Sequence, residues 1–244
     1  MIARNSMTDK VKVWMAAGVV IIVGAFVICA AYRNEITMAS QIAKHKDYKL
    51  LGRFAPTFYR ILDENAPEWK NGERSVPLLT MSGETIARVT AEFKRQLDIE
   101  GSAHLHDERV VNLHQKTEGG WRYVVAVNAP FGLGVDDYKL VPYRTLAVDP
   151  KVIRVGSVLY MPALDGVHLP NGEIHDGFVF AHDEGQSIKS NRIDVFVGFE
   201  SDVDNTLTRS GRIPDMEPTE IYRVDEATAE QLNRRFAVQF TYNR

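Results

Sequence analysis

The sequence predicts a mainly β protein: a small β-barrel with helical embellishments, preceded by one N-terminal transmembrane helix. Three observations predict it. Short apolar, β-rich segments recur between turn signals through residues 145–199: Val158 to Met161, Gly177 to Ala181 and Ile193 to Phe199. Helical patterns are few beside them, which suits a barrel rather than an alternating α/β chain. Residues 13–31, VWMAAGVVIIVGAFVICAA, carry no charge and as a helix would extend about 30 Å, the thickness of a bilayer core.

The boundaries follow from these signals. Residues 1–12 form a cytoplasmic tail, 13–31 a transmembrane signal anchor and 32–50 a juxtamembrane linker. Residues 51–140 make an α/β first part of the soluble domain, 141–200 the barrel core, and 201–244 a closing loop, helix and strand. Lys10 and Lys12 precede the apolar run, and positive flanks stay on the cytoplasmic side, so the soluble part is expected outside the cytoplasm. A retained anchor fits the length of the run. A cleaved signal ending near Cys29-Ala30-Ala31 is the second reading.

Composition excludes several classes. A 45% hydrophobic, 25% charged chain of 244 residues can bury a core, so disorder is not expected. The net charge of −3 lacks the basic excess of a nucleic-acid binder. Cys29 is the sole cysteine and lies in the apolar run. The soluble part therefore has no thiol for a disulfide, a thiolate metal site or a cysteine nucleophile.

In chain order, Leu51 to Glu64 (LGRFAPTFYRILDE) reads as strand, and Asn65 to Val76, with Pro67 and Asn71-Gly72, as loop. From Ser82-Gly83-Glu84 a core-packing helix is predicted, with Ile86, Val89, Phe93 and Leu97 at helical spacing and Gly101 at its end. His104, His106 and His114 lack companion ligands and read as solvated or structural. Trp121 to Val127 alternates as a strand. Gly132-Leu133-Gly134 lacks the third glycine of a dinucleotide loop. Asp202, Asp204 and Asn205 lack the distal glutamate of a calcium loop. Val224 to Phe236 reads as a helix with an Asp225 cap, and Phe236-Ala-Val-Gln-Phe-Thr-Tyr242 as a closing strand.

Four aspartates mark the ends and turns of the central strands: Asp149, Asp176, Asp183 and Asp194. Alternation along Gly177 to Asp183 puts Val179, Ala181 and Asp183 on one face and Phe178, Phe180 and His182 on the other. A carboxyl among small apolar neighbours holds its proton towards neutrality. Several carboxylates at one barrel rim suit glycosidic-bond chemistry, with one protonated acid and others to hold charge. Turn formation alone would also account for Asp149-Pro150 and Asp176-Gly177. No Gly-x-Ser-x-Gly elbow is present. His168, His175 and His182 with Asp176 and Asp183 could be read as a metal set, a weaker reading than an acid cleft.

The runs AVDPKVIRVGSVLYMP, DGFVFAHDEG and IKSNRIDVFVG, spanning Tyr143 to Gly198, resemble the three-aspartate (3D) domain. That domain is shared by the membrane-bound lytic transglycosylase A family and by stationary-phase survival and resuscitation-type peptidoglycan enzymes; TFYRILDE is similar to a strand that often opens such proteins. The resemblance implies a double-psi β-barrel. It also implies lytic cleavage of the MurNAc-β-1,4-GlcNAc bond of peptidoglycan, with 1,6-anhydroMurNAc ends and no metal or organic cofactor. Matched motif by motif, Asp183 is the implied acid/base. Asp194 and Asp149 are the implied further catalytic carboxylates, and Lys189 the lysine of the Gly-Gly-x-Ile-Lys-Gly turn. Lys189 and Asp176 are taken as substrate-binding. The turn here reads Gly185-Gln186-Ser187-Ile188-Lys189-Ser190, with two of three glycines replaced by residues of less backbone freedom. The implied partners are glycan strands and, through the N-terminal helix, the bacterial inner membrane. A hydrolase using the same acids and a non-catalytic glycan-binding scaffold are the alternatives.

Overall fold

The computed structural model describes residues 48–185 and 187–240, the last five by backbone alone. The predicted membrane run and Gln186 lie outside the described residues. Among those described, no helix is long and apolar enough to cross a membrane.

Six strands close a barrel: β1 (Lys49–Tyr59), β8 (Thr145–Val148), β9 (Val158–Tyr160), β10 (Phe178–Glu184), β11 (Arg192–Phe196) and β12 (Thr219–Arg223). Their order is β1-β11-β8-β10-β9-β12, with β12 returning to β1. β1 runs parallel to β11 and β8 parallel to β10, and the other pairs are antiparallel. Alternation fills the interior. Phe54, Phe58, Leu146, Val148, Leu159, Val179, Ala181, Ile193, Val195 and Ile221 share one buried cluster, one face of every strand. Asp225 caps α3 (Glu226–Phe240) by accepting the Thr228 N–H; Leu232 of this helix joins an outer cluster with Tyr160, Phe180 and Val224.

A companion sheet, ordered β2-β5-β6-β7, consists of β2 (Leu62–Asp63), β5 (Ser102–His104), β6 (Val110–Thr117) and β7 (Gly120–Val125). It packs with a hairpin of β3 (Val76–Leu79) and β4 (Thr85–Val89) and with α1 (Ala91–Glu100) around Leu78, Phe93, Leu97 and Tyr123. A short helix α2 (Thr206–Arg209), boxed by Asn205 and Thr208, lies in the segment expected to be loop.

Two further elements correct the sequence reading. Residues 85–89 are strand, and the helix begins only at Ala91, with the Thr90 hydroxyl accepting the Phe93 N–H. β-Branched Thr85, Ile86 and Val89 favour the pleat, and pairing with Val76–Leu79 satisfies their backbone. Ile86, Val89, Phe93 and Leu97 still reach one core, which is why their spacing mimics a helix. At the other end, residues 236–240 continue α3 where a closing strand was expected. No Gly or Pro stops that helix, and the barrel is closed instead by β12.

Candidate active site

The barrel's outer face carries the site. Register aligns Thr57 of β1 with Asp194 of β11, Asp194 with Ala147 of β8, and Ala147 with Asp183 of β10. Ala147 alternates with the interior residues Leu146 and Val148, so this row faces outward. Two strand spacings separate the Asp183 and Asp194 backbones, about 10 Å, with a single methyl between them.

Alternation alone would have put Asp183 with Val179 and Ala181. A register shift between Phe180 and Asp183 gives β10 one residue more than β8 over that stretch. Such a bulge re-aims the side chain. Asp183 consequently turns outward, where its Oδ2 accepts the Tyr59 hydroxyl at 2.8 Å and its Oδ1 accepts the Glu184 N–H at 2.9 Å. Tyr59 packs on Phe196 at 5.1 Å between ring centres, against Ile61, Val110, Ala126 and Leu140. The neighbouring loop comes so close that a Cβ at Gly134 would sit 2.2 Å from the His182 carbonyl oxygen. His182 stacks on Tyr138 at 4.1 Å, and burial lowers its ring to about 4, so it stays neutral beside the site.

The two carboxyls are held towards their protonated forms. Burial pushes Asp183 up to about 6, against the opposing hydrogen bonds from Tyr59 and Glu184. Asp194 rises further, to about 7. Burial is the main cause, the Thr57 hydroxyl and Arg192 oppose it, and the charges of Glu100 and Asp183 add to it. Asp194 Oδ1 is buried and has no hydrogen-bond partner among the described residues. A buried carboxyl oxygen left open is one that an incoming group can use.

The other predicted residues have partners of their own. Asp149, just beyond β8, accepts the Lys151 N–H at 3.1 Å and the Ser190 N–H at 2.9 Å. Those bonds, with Lys189 and Lys151 nearby, hold its carboxyl below the usual range. It anchors the turn after β10, where Ser190 takes a left-handed φ of 57° that a glycine would adopt freely. Lys189 sits exposed on that turn. Asp176 lies at the far end of β10, ion-paired with Arg144 at 2.7 Å. Burial pushes Asp176 up, but the hydrogen bond and charge of Arg144 outweigh it and leave the carboxyl lowered. His175, fully buried, accepts the Gly177 N–H at 2.8 Å and meets the Tyr143 carbonyl at 3.0 Å. Among the described residues, no three His, Cys, Asp or Glu side chains converge as metal ligands.

Sequence reading missed Thr57, Tyr59 and Glu100. Tyr59 sits inside the TFYRILDE stretch that resembles the family's opening strand, which was its signal. Glu100 had only a local one, an acid in the last turn of a helix with no basic residue there.

Residues 144–213 match the family model of the 3D domain, so this part of the chain is a 3D domain. No curated protein matches the chain. Among solved structures, similarity is found to MltA from Escherichia coli with bound chitohexaose (15% identity, TM-score 0.47, covering 70% of this chain and 71% of that one). It is found also to a membrane-bound lytic murein transglycosylase from Agrobacterium tumefaciens (15% identity, TM-score 0.45, 73% and 75%). A third is the lytic transglycosylase LtgG of Burkholderia pseudomallei (17% identity, TM-score 0.38, 70% of each).

Proposed function

We propose that this chain is a peptidoglycan lytic transglycosylase that cleaves the MurNAc-β-1,4-GlcNAc bond and leaves 1,6-anhydroMurNAc ends. One observation carries the reading. Within a 3D domain, two carboxyls raised to about 6 and 7 share one outward row, and the higher of them keeps a buried oxygen open. That is the acid/base pairing glycosidic cleavage requires.

The geometry favours Asp194 over Asp183 as the acid. Both Asp183 oxygens already accept a donor, which suits the ionised form, whereas Asp194 combines the higher proton affinity with the free Oδ1. Protonated Asp194 gives its proton to the glycosidic oxygen, and the C1–O bond breaks with the electron pair leaving on the GlcNAc hydroxyl. The muramyl O6 then bonds to C1 as its hydroxyl proton passes to the Asp194 carboxylate. The acid is thereby restored, and no water is consumed. Ionised Asp183, steadied by Tyr59, lies across Ala147 to stabilise the positive charge developing at C1. Asp149 and Lys189 shape the cleft wall through the 185–190 turn.

Two further parts belong to the same proposal. The closed barrel with two parallel pairs is of the double-psi type. Residues 13–31 anchor the chain in a bacterial inner membrane, with the barrel on the peptidoglycan side.

The test is incubation of the full chain with purified peptidoglycan, followed by mass spectrometry of released muropeptides. Anhydro-muramyl products, lighter by one water than hydrolytic ones and reduced about a thousandfold or more by Asp194→Asn, are expected. Reducing ends would make the enzyme a hydrolase. No release, with glycan still bound, would make it a binding module.

A further inference from the structure

The carboxylate row has a neighbour of opposite charge that the fold does not engage. Arg192 opens β11 and Asp194 follows two residues later, so both leave the same outward face, about 7 Å apart along the strand. Register sets Ala55 of β1 opposite Arg192, as it sets Thr57 opposite Asp194. That partner position offers a methyl group and nothing that accepts a hydrogen bond.

Arg192 is half-buried, and its Nε is buried with no hydrogen-bond partner among the described residues. Among those residues no salt bridge joins it to a carboxylate, Asp194 and Asp149 included. Asp149 instead accepts the N–H groups of Lys151 and Ser190, at 3.1 and 2.9 Å. Exposed Lys151 and Lys189 flank the same turn, so positive charge collects around one carboxylate that is already occupied. A charged donor withdrawn from water without an acceptor is costly, and stability alone does not account for it. An anion that completes the guanidinium does, and the planar fork of arginine matches a carboxylate.

We propose that Arg192 is a specificity-determining residue that binds a carboxylate carried on the lactyl substituent of a muramyl unit. That carboxylate is either the free lactyl acid or an acid of the peptide attached to it. The proposal rests on the reading of this face as a peptidoglycan site. It adds what separates a muramyl glycan from a neutral polymer of N-acetylglucosamine. The separation from Asp194 suits a substituent of the muramyl ring whose C1 faces that acid, because the lactyl group hangs from the same ring. The Arg192 side chain stays partly exposed, so an incoming anion can reach its terminal nitrogens.

The experiment measures binding of the full chain to matched disaccharides by calorimetry. The probes are neutral N,N′-diacetylchitobiose, GlcNAc-MurNAc with its free lactyl acid, and GlcNAc-MurNAc-tetrapeptide with peptide acids. None contains the MurNAc-GlcNAc bond, so binding is read apart from cleavage. The parent chain is expected to bind at least one acidic probe on the order of tenfold more tightly than the neutral one. Which acidic probe gains identifies the lactyl or the peptide carboxylate as the group bound. Arg192→Gln is expected to lose that preference while binding the neutral sugar as before, with thermal melts confirming the fold. Arg192→Lys keeps the charge without the fork and should retain only part of the preference; it carries the test if Arg192→Gln does not fold. A parent chain without the preference overturns the proposal, and so does a preference unchanged in the folded variants. An equal loss on all three probes also overturns it, because the guanidinium would then serve the fold or an acetamido group. If the preference behaves as expected but the parent chain releases no muropeptide, the subsite stands and the enzyme reading fails. Muropeptide release with an unaltered preference in the variants leaves the enzyme and removes the subsite.

Discussion

Asp176, two residues before β10, and Asp183, near its end, lie seven positions apart in one domain and behave in opposite ways. At the start, Asp176 meets Arg144, whose side chain is 8% exposed, and also lies 3.7 Å from Arg235. At the finish, Asp183 and its neighbour Asp194 are half-buried, and among the described residues no salt bridge joins either to a cation. Desolvation acts on all three carboxyls and is the largest influence on each. The presence of a guanidinium decides the sign. A buried carboxyl with a cation becomes a fixed charge that closes structure, and one without becomes a proton store available to chemistry.

Removing the cation from the first end is the largest expected perturbation. Arg144→Met leaves half-buried Asp176 with only the exposed Arg235 and also strips a donor from the Phe178 carbonyl. Chemical denaturation is expected to show a loss of about 3 kcal/mol, and Asp176→Asn in the same background should recover part of it. If Arg144→Met costs nothing, the ion pair is not what distinguishes this end.

The second end should reveal itself through pH. The folded chain keeps protons on Asp183 and Asp194 to about 6 and 7, while an unfolded chain releases them near 3.8. The folded state therefore binds more protons between these limits, and stability falls as pH rises from about 4 to 7. Asp176 has the opposite sign: its contribution is present above 3.8 and is lost as the pH falls through its lowered value. Asp194→Asn is expected to stabilise the protein at pH 8 by about 1–3 kcal/mol and to have little effect at pH 4. Thermal melts across this range check it; equal effects at both pH values would contradict a desolvated carboxyl without an ion pair.

The smallest effect tests the intermediate case of Asp149, a carboxyl satisfied by backbone N–H groups. Ser190→Gly removes the left-handed strain that the Asp149 bond holds in place. Relief of about 1–2 kcal/mol of strain, less about 0.4–1 kcal/mol for the freer unfolded chain, leaves an expected gain of about 1 kcal/mol or less, read from denaturation midpoints. A loss would mean that the serine side chain contributes packing which outweighs the strain.

Local chemistry made much of this molecule legible. The outline of β1, β9, β10 and β11 followed from apolar alternation and turn residues, and Asp225 holds the helix cap that local rules demand. The motifs also brought Asp183 and Asp194 forward together, and the structure sets them in one row. Spacing failed at 85–89 because a hairpin and a helix can send the same four side chains into one core. It failed at 236–240 because nothing local separates a continuing helix from an edge strand.

By itself, the sequence determined which segments are apolar on one face, where the chain turns, and that carboxylates accumulate in the central strands. Tertiary structure decided the rest. The β10 bulge against β8 turned Asp183 from the barrel interior to its outer face, which no period-two pattern could show. Contacts across wide sequence separations gave Asp176 an arginine, Asp183 a tyrosine and Asp194 a threonine. A carboxyl's character depends on what burial removes and what a distant partner returns, and both are properties of the packed chain.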